Sequence, residues 1–83
     1  MYSYTICDQY DRDIFKRQCK ALERHIPNLK KTTDLEDVDG SQICIYEVNG
    51  KKIRIDNDFM VGAVYIDSEV DLLTYFPQKS TDK

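Results

Sequence analysis

The stretch that decides the fold is Gln42-Ile43-Cys44-Ile45-Tyr46-Glu47-Val48-Asn49-Gly50-Lys51-Lys52-Ile53-Arg54-Ile55. Two runs rich in β-branched residues flank an Asn-Gly pair. This is the strongest short hairpin signal, because a type I′ turn needs positive φ at both central positions. A two-residue loop sets the register: Val48 faces Lys51, Glu47 faces Lys52, Tyr46 faces Ile53, Ile45 faces Arg54 and Cys44 faces Ile55. Side chains alternate across a strand, so Cys44, Tyr46, Val48, Ile53 and Ile55 share one face. Ile43, Ile45, Glu47, Lys52 and Arg54 share the other, where Glu47 and Lys52 are expected to form an ion pair.

Downstream, Asn57-Asp58 is expected to turn the chain into a third strand, Met60 to Ile66. That register sets Met60 beside Ile55 and Val61 beside Arg54, adding Met60, Val64 and Ile66 to the first face and Val61, Ala63 and Tyr65 to the second. Ser68 can then cap a short helix whose apolar side is Val70, Leu72, Leu73 and Phe76, ended by Pro77. Upstream, Tyr2 to Cys7 alternates as a half-buried strand does, with Tyr2, Tyr4 and Ile6 on one face. Asp8 or Asp11 can cap a helix over 11–26. Ile14, Phe15, Cys19, Leu22 and Ile26 form its apolar stripe, and Pro27 stops it. The segment 28–40 ends in the turn dipeptide Asp39-Gly40 and is expected to hold an irregular strand over Leu29 to Leu35. The fold expected is α+β: an antiparallel sheet of about four strands in β-α-(β)-β-β-β-α order, with the long amphipathic helix packed on one face.

Length and composition agree with this. Eighty-three residues hold one core, expected to occupy 1–77, with 78–83 a mobile polar tail. At 41% hydrophobic and 33% charged, the chain has the makeup of a folded domain rather than a disordered one. No apolar run approaches the ~20 residues of a membrane helix. The start lacks the basic and apolar segments of a signal peptide, so a cytoplasmic address is expected. Cys7, Cys19 and Cys44 are odd in number and widely spaced, the pattern of reduced thiols rather than of a disulfide framework. Abundant Lys, Ile, Asn, Asp and Tyr with two Ala is a composition common in phages and low-GC bacteria.

The residues offer little to catalysis. His25 is the only histidine, and a triad would need it beside a nucleophile and an orienting group. A zinc site of the three cysteines and His25 would fit no known ligand spacing. Aligning Gly40 with the glycine of a calcium loop puts Leu35 and Tyr46 at the first and last ligand positions, which excludes an EF-hand. No glycine-rich phosphate loop exists. The expectation is no enzyme, no metal and no cofactor.

Binding is the better prospect. A sheet exposed on one side should be polar there, yet Ile43, Ile45, Val61, Ala63 and Tyr65 make the second face apolar on two strands. Either the C-terminal helix covers it through Leu72, Leu73 and Phe76, or a partner protein or second copy does. The partner-binding candidates are therefore Ile43, Ile45, Glu47, Lys52, Arg54, Val61 and Tyr65, aliphatic and tyrosine anchors around an arginine.

Charge is patchy although the net is only −3. From Arg12 to Lys31 seven basic residues stand against Asp13 and Glu23, whereas Thr32 to Gly50 holds five acidic residues and no basic one. Asp34, Glu36, Asp37 and Asp39 form a second candidate surface, for a partner with a basic groove. Arg12, Lys16, Lys20 and Arg24 on the outer arc of the helix form a third, for nucleic-acid phosphates. The leading expectation is a non-catalytic protein-binding module: an inhibitor, an immunity or antitoxin-like protein, or a phage protein that blocks an enzyme. Nucleic-acid binding and a structural, self-associating subunit follow it.

Overall fold

The computed structural model describes residues 1–75. Its order is β1 (Tyr2–Cys7), α1 (Arg12–His25), β2 (Lys30–Glu36), β3 (Gln42–Val48), β4 (Lys51–Asp58), β5 (Ala63–Ser68) and a 3-10 turn (Leu72–Thr74). All five strands join one antiparallel sheet in the order β1-β5-β4-β3-β2. The segment 28–40 contributes a full edge strand, which brings the number to five.

The central hairpin has the register its turn dictates. Val48 pairs with Lys51, Tyr46 with Ile53 and Cys44 with Ile55, while Asn49 and Gly50 take φ of 53° and 77°. Glu47 lies opposite Lys52, but the expected ion pair is not among those the described residues make. The Lys52 backbone N–H donates to the Glu69 carboxylate at 2.7 Å.

Helix α1 starts where Asp11 accepts the free N–H of Ile14 at 3.0 Å, the bond that makes Asp a good N-cap. It ends at the cap residue Ile26, one before Pro27. Its stripe of Phe15, Cys19 and Leu22, with Ile26, packs on Cys44, Tyr46, Val48, Ile53, Ile55, Val64 and Ile66 to form the core. Asn57 is fully buried beside them. It accepts the Asp11 N–H at 3.1 Å and donates to Gln42 at 2.9 Å, which fixes the head of the helix on the sheet.

The second turn corrects the expected register. Asn57-Asp58 does not reverse the chain; β4 runs through both, pairing Asn57 with Val64 and Asp58 with Ala63. Ile55 accordingly faces Ile66, not Met60, and Arg54 faces Asp67, not Val61. Asp58 ends the strand by accepting the N–H groups of Met60 and Val61 at 3.0 Å each, while Gly62 N–H closes on the Asp58 carbonyl at 2.8 Å. Met60, expected in the core, is 80% exposed at the tip. A bulge between Thr5 and Cys7 makes a further correction. It displaces Ile6 from the face shared by Tyr2 and Tyr4, and Cys7 takes its place opposite Val64.

The C-terminal helix is a single 3-10 turn capped by Asp71, not Ser68. Ser68 is buried at the end of β5, its hydroxyl bonded to the backbone of Val70. Leu72 enters the core shared with Phe15, and its N–H donates to the Tyr4 hydroxyl at 3.1 Å. The turn therefore lies on the helix side of the sheet. Phe76, Pro77 and the tail 78–83 lie outside the described residues.

Candidate functional site

Because Leu72 packs on the helix side, the other face of the sheet carries no layer among the described residues. Register sorts that face into rows. One runs Leu35, Ile43, Asp56, Tyr65, Thr5; the next runs Thr33, Ile45, Arg54, Asp67, Ser3; a third holds Lys30, Glu47 and Lys52. Ile43, Ile45, Ala63 and Tyr65 are half-buried and Leu35 is exposed. The apolar outer set thus stands on β2, β3 and β5, with the charged side chains of β4 between them, and is reduced by Val61, which the turn removes.

Three carboxylates unexpected on this face, Asp56, Asp58 and Asp67, organise its polar groups. Arg54 grips Asp56 with Nε at 3.0 Å and a second guanidinium nitrogen at 3.1 Å. That bond raises the Arg54 pKa above its ordinary value. Asp56 is only 4% exposed, and Arg54 is its ion-pair partner. Ser3 donates to Asp67 at 2.7 Å and Tyr65 to Asp58 at 3.4 Å. Burial, with Asp56 and Asp58 nearby, pushes the Tyr65 phenol up, so it stays protonated and donating.

At one end of the face the turns 37–41 and 59–62 meet. Phe59, Met60 and Val61 are exposed by 53%, 80% and 69%, and Val38 on the neighbouring turn is fully exposed. Three consecutive exposed apolar residues at a tip otherwise held tightly are unfavourable in water. Phe59 anchors the tip to the rest of the protein. Phe59 packs edge-on to Tyr10 with centroids 5.3 Å apart, and its N–H donates to Ser41 at 2.9 Å. Beside it a cavity of about 270 Å³ is lined by Asp37, Asp39, Ile43, Asp56, Asp58 and Met60, among others. Two of the four expected acidic residues, Asp37 and Asp39, therefore join the sheet-face candidates Ile43, Arg54 and Tyr65 around one concavity.

The other two acidic residues lie elsewhere. Asp34 pairs with Lys31 at 3.5 Å, and Glu36 makes two bonds to Arg12, at 2.9 and 3.2 Å. Arg12 holds the Glu36 carboxyl below its usual range. Arg12, Lys16 and Lys20 border a crevice of about 460 Å³ beneath α1, but Asp13, Glu23 and Asp34 border it too. Arg24, in the helix's last turn, is not part of its lining. The helix thus presents a mixed field, not a continuous basic one.

The three cysteines are free, with Cys19 and Cys44 buried and Cys7 half-buried. Burial, reinforced by the neighbouring Cys44, pushes the Cys19 thiol up to about 12, so it stays protonated near neutral pH. Among the described residues no three His, Cys, Asp or Glu side chains gather as metal ligands. No described helix is long and apolar enough to cross a membrane.

No protein-family model, curated protein or solved structure matches the chain. The site therefore rests on its own geometry. Sequence reasoning missed Leu35, Val38, Phe59, Asp56 and Asp58. The signal for the last three was present: the alternation Ile53, Ile55, Asn57 continues one strand past the expected turn, and Asp58 with Gly62 brackets a loop.

Proposed function

We propose that the chain is a non-catalytic protein-binding module that seats its partner where the open sheet face meets the tip Phe59-Met60-Val61. The observation that carries this reading is the exposure of those three apolar side chains beside half-buried Ile43 and Tyr65. An apolar anchor at the centre of a polar rim is the arrangement of interface hot spots. The rim carboxylates Asp37, Asp39 and Asp58 define the partner's charge: its surface offers an apolar pocket edged by Lys or Arg. They also disfavour a lipid surface, since anionic headgroups attract basic segments and repel acidic ones. Within this class the work is to cover a functional surface of another protein, as an inhibitor, immunity or antitoxin-like protein does, in a phage or its bacterial host.

Capture of a partner from the native host, repeated with Met60→Asp, tests the proposal. A protein retained by the wild type and lost with the variant supports it. Equal retention by both retires the tip as the anchor.

A further inference from the structure

A helix lying along a strand brings side chains together at nearly matched intervals. Four helical residues rise about 6 Å, and two strand residues, which share a face, span about 6.8 Å. Helix α1 is aligned with β3 by bonds at two places. At its head, Asn57 joins the Asp11 N–H to Gln42, the first residue of β3. Further along, the Tyr46 hydroxyl donates to Glu23 at 2.5 Å. Cys19 stands one turn before Glu23, and Cys44 stands one same-face step before Tyr46. The two thiols are accordingly neighbours across the helix–sheet interface. Both belong to the core, and both also line the crevice of about 460 Å³ beneath α1.

We infer that Cys19 and Cys44 form a reversible disulfide that ties the middle of α1 to β3, with a small peroxide entering the crevice as the oxidant. In the first step one cysteine sulfur attacks a peroxide oxygen and the O–O bond breaks. The cysteine becomes a sulfenic acid, and its proton leaves with the departing oxygen as water. In the second step the other sulfur attacks the sulfenic sulfur. The S–S bond forms, the S–O bond breaks, and a second water departs with the remaining thiol proton. The cysteine pair loses two electrons, and one hydrogen peroxide becomes two waters. Because Cys19 stays protonated near neutral pH, the reaction is slow there. Exchange with a small thiol reverses it.

Cys7 cannot replace Cys19 as the partner of Cys44. It lies on β1, which β5 and β4 separate from β3, a span of about 14 Å at the usual strand spacing. The bridge closes a loop that contains the end of α1, all of β2 and the turns beside it. Closing a loop restricts the unfolded chain, so the oxidised protein is expected to be the more stable form. The pair lies on the helix side of the sheet and does not use the tip Phe59-Met60-Val61, so it stands independently of the proposed partner site.

Hydrogen peroxide treatment of the folded chain, followed by alkylation, digestion and mass spectrometry, tests it. The expected product is a Cys19–Cys44 peptide pair lacking two hydrogen atoms, with Cys7 outside the bridge. The urea midpoint should rise on oxidation and return with dithiothreitol. Cys7→Ser should behave as the wild type does, and Cys44→Ala should gain no stability from peroxide. Thiols that stay reduced, sulfinic acid without a bridge, a bridge through Cys7, or a bridge that lowers the midpoint would each overturn the inference. Should Cys44→Ala fail to fold, the digest and the midpoints of the wild type and Cys7→Ser decide.

Discussion

The Tyr10 hydroxyl donates to the Gly40 carbonyl at 2.8 Å, and through that bond the start of α1 holds the turn between β2 and β3. Arg12 donates to the same hydroxyl at 3.1 Å while the Tyr10 ring carries Phe59. One tyrosine therefore ties together the helix, the acidic turn and the apolar tip. The proposed partner site is held from behind, an arrangement that lowers the ordering cost of binding.

Gly40 is the point where this arrangement is most easily broken. Its φ is +94°, and a Cβ there would lie 3.2 Å from the Tyr10 hydroxyl. Gly40→Ala is expected to destabilise the protein by more than about 1 kcal/mol, since an L side chain is strained at this φ. Tyr10→Phe, which removes only the hydroxyl, should cost about 1 kcal/mol. Urea unfolding measures both, and a Gly40→Ala midpoint equal to the wild type's would show that the turn relaxes freely.

Asn57 gives a second prediction. It has no exposure, accepts from Asp11 N–H and donates to Gln42. Asn57→Leu removes both bonds and strands a helix-cap N–H beneath the side chain. The expected loss is about 1–3 kcal/mol, the cost of an unsatisfied buried donor. An unchanged urea midpoint would mean that Asp11 finds another acceptor.

Stability should fall at alkaline pH. Burial, with Cys44 beside it, raises the Cys19 thiol from 9.0 to about 12. Burial and its bond to Glu23 also raise the Tyr46 phenol. A raised folded-state value means that the folded chain holds the proton longer than the unfolded one. The stabilisation is therefore complete below about pH 9 and is lost as pH climbs towards 12. Urea midpoints measured from pH 8 upward should decline, and Cys19→Ala should flatten the decline while lowering stability at neutral pH through the small cavity it leaves. A variant whose decline is as steep as the wild type's would remove Cys19 from the account.

The parts of the fold legible in the sequence are those set by local chemistry. Asn49-Gly50 has one common way to turn, so the hairpin register follows from two residues. The α1 stripe follows from period, and its end from Pro27. Asn57-Asp58 misled because turn-forming residues are not obliged to turn. Asn57 is instead bonded inside the sheet by Asp11 and Gln42, partners distant in sequence. The same cause hid the tip: with the turn placed too early, Met60 fell into the core and Val61 onto the open face. Ile6 was misplaced by a bulge that alternation cannot reveal. The apolar second face survived these errors on β3 and β5, because Ile43, Ile45, Ala63 and Tyr65 do not depend on where the second turn lies.

The geometry also decides which substitution can test partner binding. Arg54→Glu attracts attention because Arg54 stands at the centre of the open face. Its guanidinium, however, is the ion-pair partner of Asp56, which is 4% exposed. A glutamate there would set two carboxylates together and leave the buried one unpaired, so the fold itself would suffer. Lost capture by that variant would then say nothing about the surface. Met60 has 80% of its surface in solvent; Met60→Asp should leave the unfolding free energy within about 0.5 kcal/mol of the wild type's, as surface changes usually do. If Met60 is an anchor, the same variant should lose at least about 1–2 kcal/mol of binding, roughly tenfold in affinity. Asp37→Asn with Asp39→Asn should act differently, slowing association and weakening its dependence on salt while changing dissociation little. Titration calorimetry and association kinetics on one captured partner separate the two effects. Binding unchanged in both the Met60→Asp and the Asp37→Asn/Asp39→Asn variant would move the contact off this end of the sheet.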